Sequence, residues 1–344
     1  MPTLPMLDIK RNSCESPHVV LLGAGASLAS CPNGDANGRR LPLMTNLVEV
    51  VGLNDVISRA GVDPNISDFE SFYDHVVTSG KHKTLVSELE EAIRSYFADL
   101  KLPDSPTLYD YLVLSLRKKD IIATFNWDPF LAQAFRRNMH LKEMPRIVFL
   151  HGNVAVGLCR DHQAVGFLDQ RCATCGCALL PSPLLYPVGS KDYSSDPYIK
   201  SEWNGVRDHI EHAYFVTIFG YSAPVSDREA RELMLEVWRK NPTRDLAQFD
   251  VIDIKSKREL DRTWHDFKEG NNFGCYKSLF ETSMLIHPRR SCDAFAMATL
   301  QQNPWRENPW PRFDSLSEMQ EWIKPIVDEE SSPRLSGRPC PSVS

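Results

Sequence analysis

Three groups of residues in this 344-residue chain have the types and spacing to do chemistry. The first is Gly23-Ala24-Gly25-Ala26-Ser27, directly after the apolar run His18-Val19-Val20-Leu21-Leu22. Glycines let a backbone turn sharply and approach a phosphate closely, so Gly23, Ala24, Gly25 and the Ser27 hydroxyl are candidates to hold a pyrophosphate. The full dinucleotide fingerprint adds a third glycine where this chain has Leu28, so a tight turn without ligand is an equal reading of the loop by itself. The second group is Asn126, Asp128 and His151. An imidazole with an ordinary pKa of about 6.5 can take a proton near neutrality. Asn126 offers a donor and an acceptor, fit to orient a sugar hydroxyl or a water. Asp128 either positions Asn126 or caps the next helix. The third group is a C-x2-H pair, Cys159 and His162, followed after nine residues by a C-x2-C pair, Cys172 and Cys175. Two chelating pairs across a short loop suit tetrahedral zinc, and four protein ligands make such a site structural. Cys177 is an alternative fourth ligand.

These groups need a scaffold. Short, continuously apolar runs at 18–22, 120–125, 146–150, 214–219 and 249–254 read as buried strands, and 283–286 as a sixth. Between 45 and 117 the pattern is helical, with Thr45 or Asn46 and then Asp68 as helix starts. Leu85, Leu89, Ile93, Tyr96 and Phe97 recur at the spacing of one buried helix face. Strands alternating with helices indicate an α/β fold: a Rossmann-like, doubly wound parallel sheet covered on both faces. Ligands then sit at the C-terminal strand ends. That places Gly25, Ser27, Asn126, Asp128, His151, Gly220, Ser222 and Asp253 together. Asp253 ends a strand and suits the ribose hydroxyls of a nucleotide, or is a strand-end cap. One domain over 18–327 is expected, with a helical insertion at 45–117 and a metal knuckle at 155–180. The leader 1–17 and the Ser/Pro-rich tail 328–344 are expected to be disordered.

Composition narrows the function classes. Thirty-nine Lys+Arg against 45 Asp+Glu give a formal charge of −6, which argues against direct nucleic-acid binding. Arg39-Arg40 and Arg289-Arg290 read as solvated faces. No apolar run approaches the roughly 18 residues of a membrane span, and the N-terminus lacks a signal-peptide core. Nine cysteines, four of them clustered, fit a reducing, cytoplasmic setting with one metal site.

In order along the chain, these motifs resemble the sirtuin superfamily. Gly-Ala-Gly-Ala-Ser at 23–27 resembles its opening phosphate loop, and Thr124-Phe125-Asn126-Trp127-Asp128 resembles its Thr-Gln-Asn-Ile-Asp segment. His151-Gly152 resembles the catalytic His-Gly, with the zinc knuckle following it. Gly220-Tyr221-Ser222 resembles the later Gly-Thr-Ser that contacts NAD, and Asp253 stands where the family has a ribose contact, usually Asn. Deacylating members follow the glycine loop with Gly-Ile-Pro-Asp-Phe-Arg, where this chain has only Arg40-Leu41-Pro42-Leu43. The zinc set has a His for one Cys, and no acyl-lysine channel motif follows it. The chain is more similar to the divergent sirtuin-like domains of bacterial antiphage systems, which hydrolyse NAD; Gly220-Tyr221-Ser222 followed by Asp227 also resembles that branch.

The resemblance implies an NAD+ hydrolase releasing nicotinamide and ADP-ribose. Asn126 would serve the ribose and the attacking water, His151 would be the base, and Gly25 and Ser27 would hold the pyrophosphate through backbone N–H groups and the Ser27 hydroxyl. Two other readings are a protein deacylase or ADP-ribosyltransferase, and a non-enzymatic NAD or ADP-ribose sensor. A homo-oligomer is expected, with residues 45–117 and the region after 255 as contact candidates, and a ring-forming helicase-like ATPase is a possible partner.

Overall fold

The first strand, β1 (His18–Leu22), is buried along its whole length and runs directly into a helix, α1 (Ala24–Ser30), without the loop expected there. In this computed structural model the described residues are 15–62, 68–189, 191–224, 227–300, 302 and 304–331. Residues 1–14 of the leader, 332–344 of the tail, and Ser226 lie outside them.

The insertion supplies α2 (Leu47–Val51), α3 (Asn54–Arg59), α4 (Phe69–Ser79), α5 (Lys83–Ala98) and α6 (Leu108–Leu114). Asp68 caps α4, its carboxylate accepting the N–H groups of Glu70 and Ser71 at 3.3 and 3.2 Å. On α5, Leu85, Leu89, Ile93 and Phe97 form the buried stripe. At α6, Thr107 and Asp110 form a reciprocal capping box. The chain continues through β2 (Ile121–Thr124), α7 (Phe130–Asn138), β3 (Arg146–Phe149), then β4 (Val156–Cys159), β5 (Ala164–Phe167) and β6 (Leu180–Pro181), which form a separate antiparallel sheet around the cysteine loop. After α8 (Pro197–His212) come β7 (Phe215–Phe219), α9 (Arg228–Lys240), β8 (Gln248–Ile252), α10 (Lys257–Thr263), α11 (His265–Lys268), β9 (Asn272–Tyr276), α12 (Ser283–Ile286), α13 (Ser291–Leu300) and α14 (Leu316–Ser331).

The main sheet has six strands in the order β3-β2-β1-β7-β8-β9, every neighbouring pair parallel. Counted in chain order within this sheet, that is the 3-2-1-4-5-6 order of the doubly wound nucleotide-binding fold. The progression reverses between β1 and β7. In such sheets the crevice beyond the C-terminal ends of the two strands at that point is where a ligand binds.

Three sequence expectations are corrected. Residues 283–286 form the helix α12, and the sixth strand is β9. A four-residue apolar run has no periodicity to separate helix from strand. β9 escapes notice because it is a half-buried edge strand with Asn at its start and Gly274 inside it. A Cβ at Gly274 would lie 2.4 Å from Asp250 Oδ1, so a larger residue there would have to displace that side chain. Arg289-Arg290 is not a solvated face: Arg289 is buried and donates to the carbonyls of Leu116 and Glu143, both at 2.8 Å. Its guanidinium thereby joins a carbonyl left open beyond α6 to one in the loop before β3, a role that five fixed donors suit. Arg39 and Arg40 are the exposed pair and face Asp99 and Glu49. Finally, α14 extends to Ser331, four residues into the expected tail. Among the described residues no helix is long and apolar enough to cross a membrane.

Candidate active site

At the switch point the backbones of β1–α1 and β7 interlock through glycines. A Cβ on Gly23 would stand 2.5 Å from Tyr221 Cα, and one on Gly25 would stand 2.8 Å from Gly220 Cα. Gly220 has φ +61°, and a Cβ there would meet Ala26 N at 2.3 Å. Only glycine fits such an approach. The Gly23 N–H donates to Phe219 O at 3.0 Å and the Gly25 N–H to Gly220 O at 2.9 Å. The Gly25 N–H, expected at a pyrophosphate, is thus engaged by a protein carbonyl. Ala24, at the first position of α1, is exposed.

Ser27 is likewise buried and engaged. Its hydroxyl donates to Asp128 Oδ2 at 2.6 Å and lies 2.7 Å from the Tyr109 hydroxyl. The Asn126 Nδ2 group donates to Gly23 O and Ser27 Oγ, each at 2.9 Å, and approaches Tyr109 OH at 3.3 Å. These acceptors fix the amide orientation: NH2 points into the protein and Oδ1 points away from the network. The β2–α7 turn that carries Asn126 is held by its own N–H donating to Thr124 Oγ1 at 3.0 Å. Asn153 Nδ2 adds bonds to the carbonyls of Asn126 and Asp128 at 3.2 and 2.6 Å. Asp128 has contacts toward both of its sequence readings. It orders Asn126 through Ser27, and its Oδ1 accepts the Phe130 N–H at the start of α7 at 3.1 Å. Burial pushes its carboxyl up to about 6, against the hydrogen bonds from Ser27 and Phe130.

His151 ends β3 beside this turn, with Phe125 edge-on to its ring at 5.0 Å between centroids. The imidazole is buried, and its Nε2 has no hydrogen-bond partner among the described residues. The nearest carboxylate oxygen, Asp227 Oδ1, is 3.7 Å away, beyond hydrogen-bond reach. Asp227 is itself held by a buried ion pair with Lys191 and by the Tyr221 hydroxyl, which donates to Oδ2 at 3.0 Å. Burial lowers the His151 pKa to about 4, against the raising influence of Asp227. Asp227 is kept below the usual carboxylate range: burial raises it, but His151, Lys191 and the Tyr221 hydroxyl together outweigh that. The His151 imidazole is therefore neutral at physiological pH. Gly152 follows with φ +74°, where a Cβ would strike Pro183 O at 1.8 Å.

Asn126 and His151 are thus brought to neighbouring strand ends, with Asp128, Ser27, Gly23 and Gly220 around Asn126. Ser222 is exposed just past β7. Asp253, past β8, accepts the Lys255 N–H at 2.8 Å and so closes a local turn, the strand-cap geometry. Sequence reasoning missed Tyr109 and Lys191. Tyr109 is embedded in an apolar helix stretch, and Lys191 sits in an irregular loop, so neither carries a local signal.

The metal knuckle is a second centre. One ligand atom from each of Cys159, His162, Cys172 and Cys175 lies within 4.8 Å of all the others. Cys159 Sγ is 3.4 Å from His162 Nδ1 and 3.8 Å from Cys175 Sγ. Ligands about 2.3 Å from a tetrahedral zinc are separated by about 3.8 Å, so the set has the right size. Backbone N–H groups of Cys175 and Thr174 pull the Cys172 thiol down to about 6, toward the thiolate a metal needs. Cys177 is exposed and outside the set.

No protein-family model matches the sequence, and no curated protein matches it. Similar solved structures are Sir2 proteins. One is a Sir2 bound to the inhibitor EX-527, 2′-O-acetyl-ADP-ribose and a deacetylated p53 peptide, 15% identical over 86% of this chain and 97% of that one, with a TM-score of 0.38. A Sir2 homolog–NAD complex is 11% identical over 94% and 95%, with a TM-score of 0.40. A third structure, from work on the mechanism and regulation of Sir2 enzymes, is 13% identical over 97% and 100%, with a TM-score of 0.39. At such scores the likeness is distant.

Proposed function

We propose that this protein is a sirtuin-like NAD+ hydrolase that splits the nicotinamide–ribose bond, and that it serves bacterial antiphage defence by depleting NAD. One observation carries the reading: at the C-terminal ends of adjacent strands β2 and β3, next to the switch point, stand an Asn126 amide whose NH2 group is engaged by Gly23 and Ser27 and a neutral His151 imidazole whose Nε2 has no hydrogen-bond partner among the described residues. The motif order along the chain and the six-strand order support the same reading.

In the reaction, the C1′–N bond breaks and its electron pair leaves with nicotinamide. Positive charge grows on the ribose as the bond stretches. Asn126 Oδ1 accepts a hydrogen bond from the attacking water or a ribose hydroxyl and so fixes it. The water oxygen bonds to C1′, and its proton passes to His151 Nε2 and then to solvent. A base in this position supplies typically about 10²–10⁴-fold. Asp227 Oδ1, ion-paired to Lys191, lies 3.7 Å from His151 Nε2. Residues 18–327 would form the catalytic domain and Asp253 a ribose contact. Homo-oligomer formation and a helicase-like ATPase partner belong to the same proposal.

Incubating the purified chain with NAD alone tests it. ADP-ribose and nicotinamide, lost in His151→Ala, support hydrolysis. Cleavage only with an acylated peptide reassigns the chain as a deacylase, transfer of ADP-ribose to protein makes it a transferase, and binding without turnover makes it a sensor.

A further inference from the structure

The bonds that brace Asn126 at Ser27 follow from a proton count. Ser27 Oγ has one hydrogen and sits among three polar neighbours: Asp128 Oδ2 at 2.6 Å, Tyr109 OH at 2.7 Å and Asn126 Nδ2 at 2.9 Å. An ionised Asp128 can only accept, so it takes the Ser27 hydrogen. Asn126 Nδ2 can only donate, so it fills one Ser27 lone pair. The Tyr109 hydroxyl must then donate to the other. If that donor were absent, Ser27 would keep a free lone pair, and the chain running to Asp128 would lose its terminal polarising bond.

We infer that Tyr109, delivered by the helical insertion, is a positioning residue of the site: its hydroxyl donates to the remaining Ser27 lone pair, completes the chain Tyr109→Ser27→Asp128 and thereby braces the Ser27 oxygen on which the Asn126 amide rests. Tyr109 is buried to 2% exposure, and α6 has little freedom to withdraw it. The capping box at Thr107 fixes the start of α6, and Asp110 one residue on is ion-paired to Arg137 and accepts from Asn138 Nδ2 at 2.9 Å on α7. The insertion therefore reaches the Asn126 network directly. A change in how α6 packs on α7 would be felt at the catalytic amide.

The titratable groups facing Asp128 are Tyr109 from α6 and the Cys31 thiol past the end of α1. Burial pushes Cys31 up to about 12 and Tyr109 well above its ordinary value, so both are neutral and Asp128 is the group of the three that titrates near neutrality.

The catalytic half of this inference rests on the proposed NAD reaction; the positioning half does not. Two readouts keep them apart. In Tyr109→Phe, the carboxyl 13C resonance of Asp128 is expected to titrate at least half a pH unit higher than in the wild type, and the Asn126 side-chain amide protons to exchange faster. Fluorotyrosine at position 109, a stronger donor that keeps the ring, shifts the Asp128 midpoint the opposite way and serves if Tyr109→Phe folds poorly. With NAD, Tyr109→Phe lowers kcat about tenfold with KM within twofold, and moves the acid limb of kcat upward with the Asp128 midpoint. Unchanged Asp128 titration and amide exchange in both variants overturn the positioning role, whatever the turnover. Shifted resonances in a wild type that does not cleave NAD uphold the positioning role and reject the reaction.

Discussion

The protonation of His151 makes a prediction that does not depend on any substrate. Burial holds its pKa at about 4 in the folded chain, against about 6.5 unfolded. Between these values the unfolded chain binds a proton that the folded chain refuses. Stability from the neutral imidazole is therefore complete above pH 6.5 and is lost as pH falls through 6.5 toward 4. Integrating the two titrations from pH 7.5 to 5.0 gives a loss of about 2 kcal/mol from this one residue. His18, which burial also depresses, to about 3, contributes a loss of the same sign, so the wild type alone is uninformative. The comparison that isolates His151 is wild type against His151→Asn by urea unfolding at both pH values. His18 is common to both, and the variant should lose about 2 kcal/mol less on acidification. Equal pH dependence of the two proteins would mean that His151 titrates normally in the fold, and the neutral buried base would have to be abandoned.

Further outcomes follow from the same structure. Gly220→Ala places a Cβ against Ala26 N in a left-handed backbone and should destabilise the fold by about 3 kcal/mol or more, seen as a lower urea midpoint. The purified chain should carry one zinc per molecule by elemental analysis; Cys172→Ser should lose it and make the segment around β4–β6 protease-sensitive, with the main sheet's circular dichroism retained. Asp250 lies buried in β8 with Oδ2 unpartnered, and burial raises its pKa to about 7. Its folded-state pKa exceeds the unfolded one, so it weakens the fold increasingly as pH rises from 4 to 7, and Asp250→Asn should gain stability relative to wild type over that window.

Much of the frame was legible because buried parallel strands are short apolar runs. Those at 18–22, 121–124, 146–149, 215–219 and 248–252 all announce themselves in that way. β9 does not, because an edge strand needs only half its surface covered and so tolerates Asn272 and Gly274. At the site, residues that end strands were readable: Asn126, Asp128 and His151 follow apolar runs as polar interruptions. What spacing cannot supply is which polar atom meets which. The glycine loop looked like a phosphate cradle, yet its close approach is to Gly220, and the Ser27 hydroxyl belongs to the Asn126 network. Tyr109 reaches that network from 17 residues before Asn126, through tertiary packing that no local pattern encodes.

The most direct test of the proposed site is a crystal structure of the chain with ADP-ribose. The terminal ribose should lie within hydrogen-bond distance of Asn126 Oδ1 and His151 Nε2, with the adenosine across the β1–β7 switch point. ADP-ribose bound elsewhere, or bound there with the ribose out of reach of both atoms, would contradict the assignment of these two side chains to the reaction.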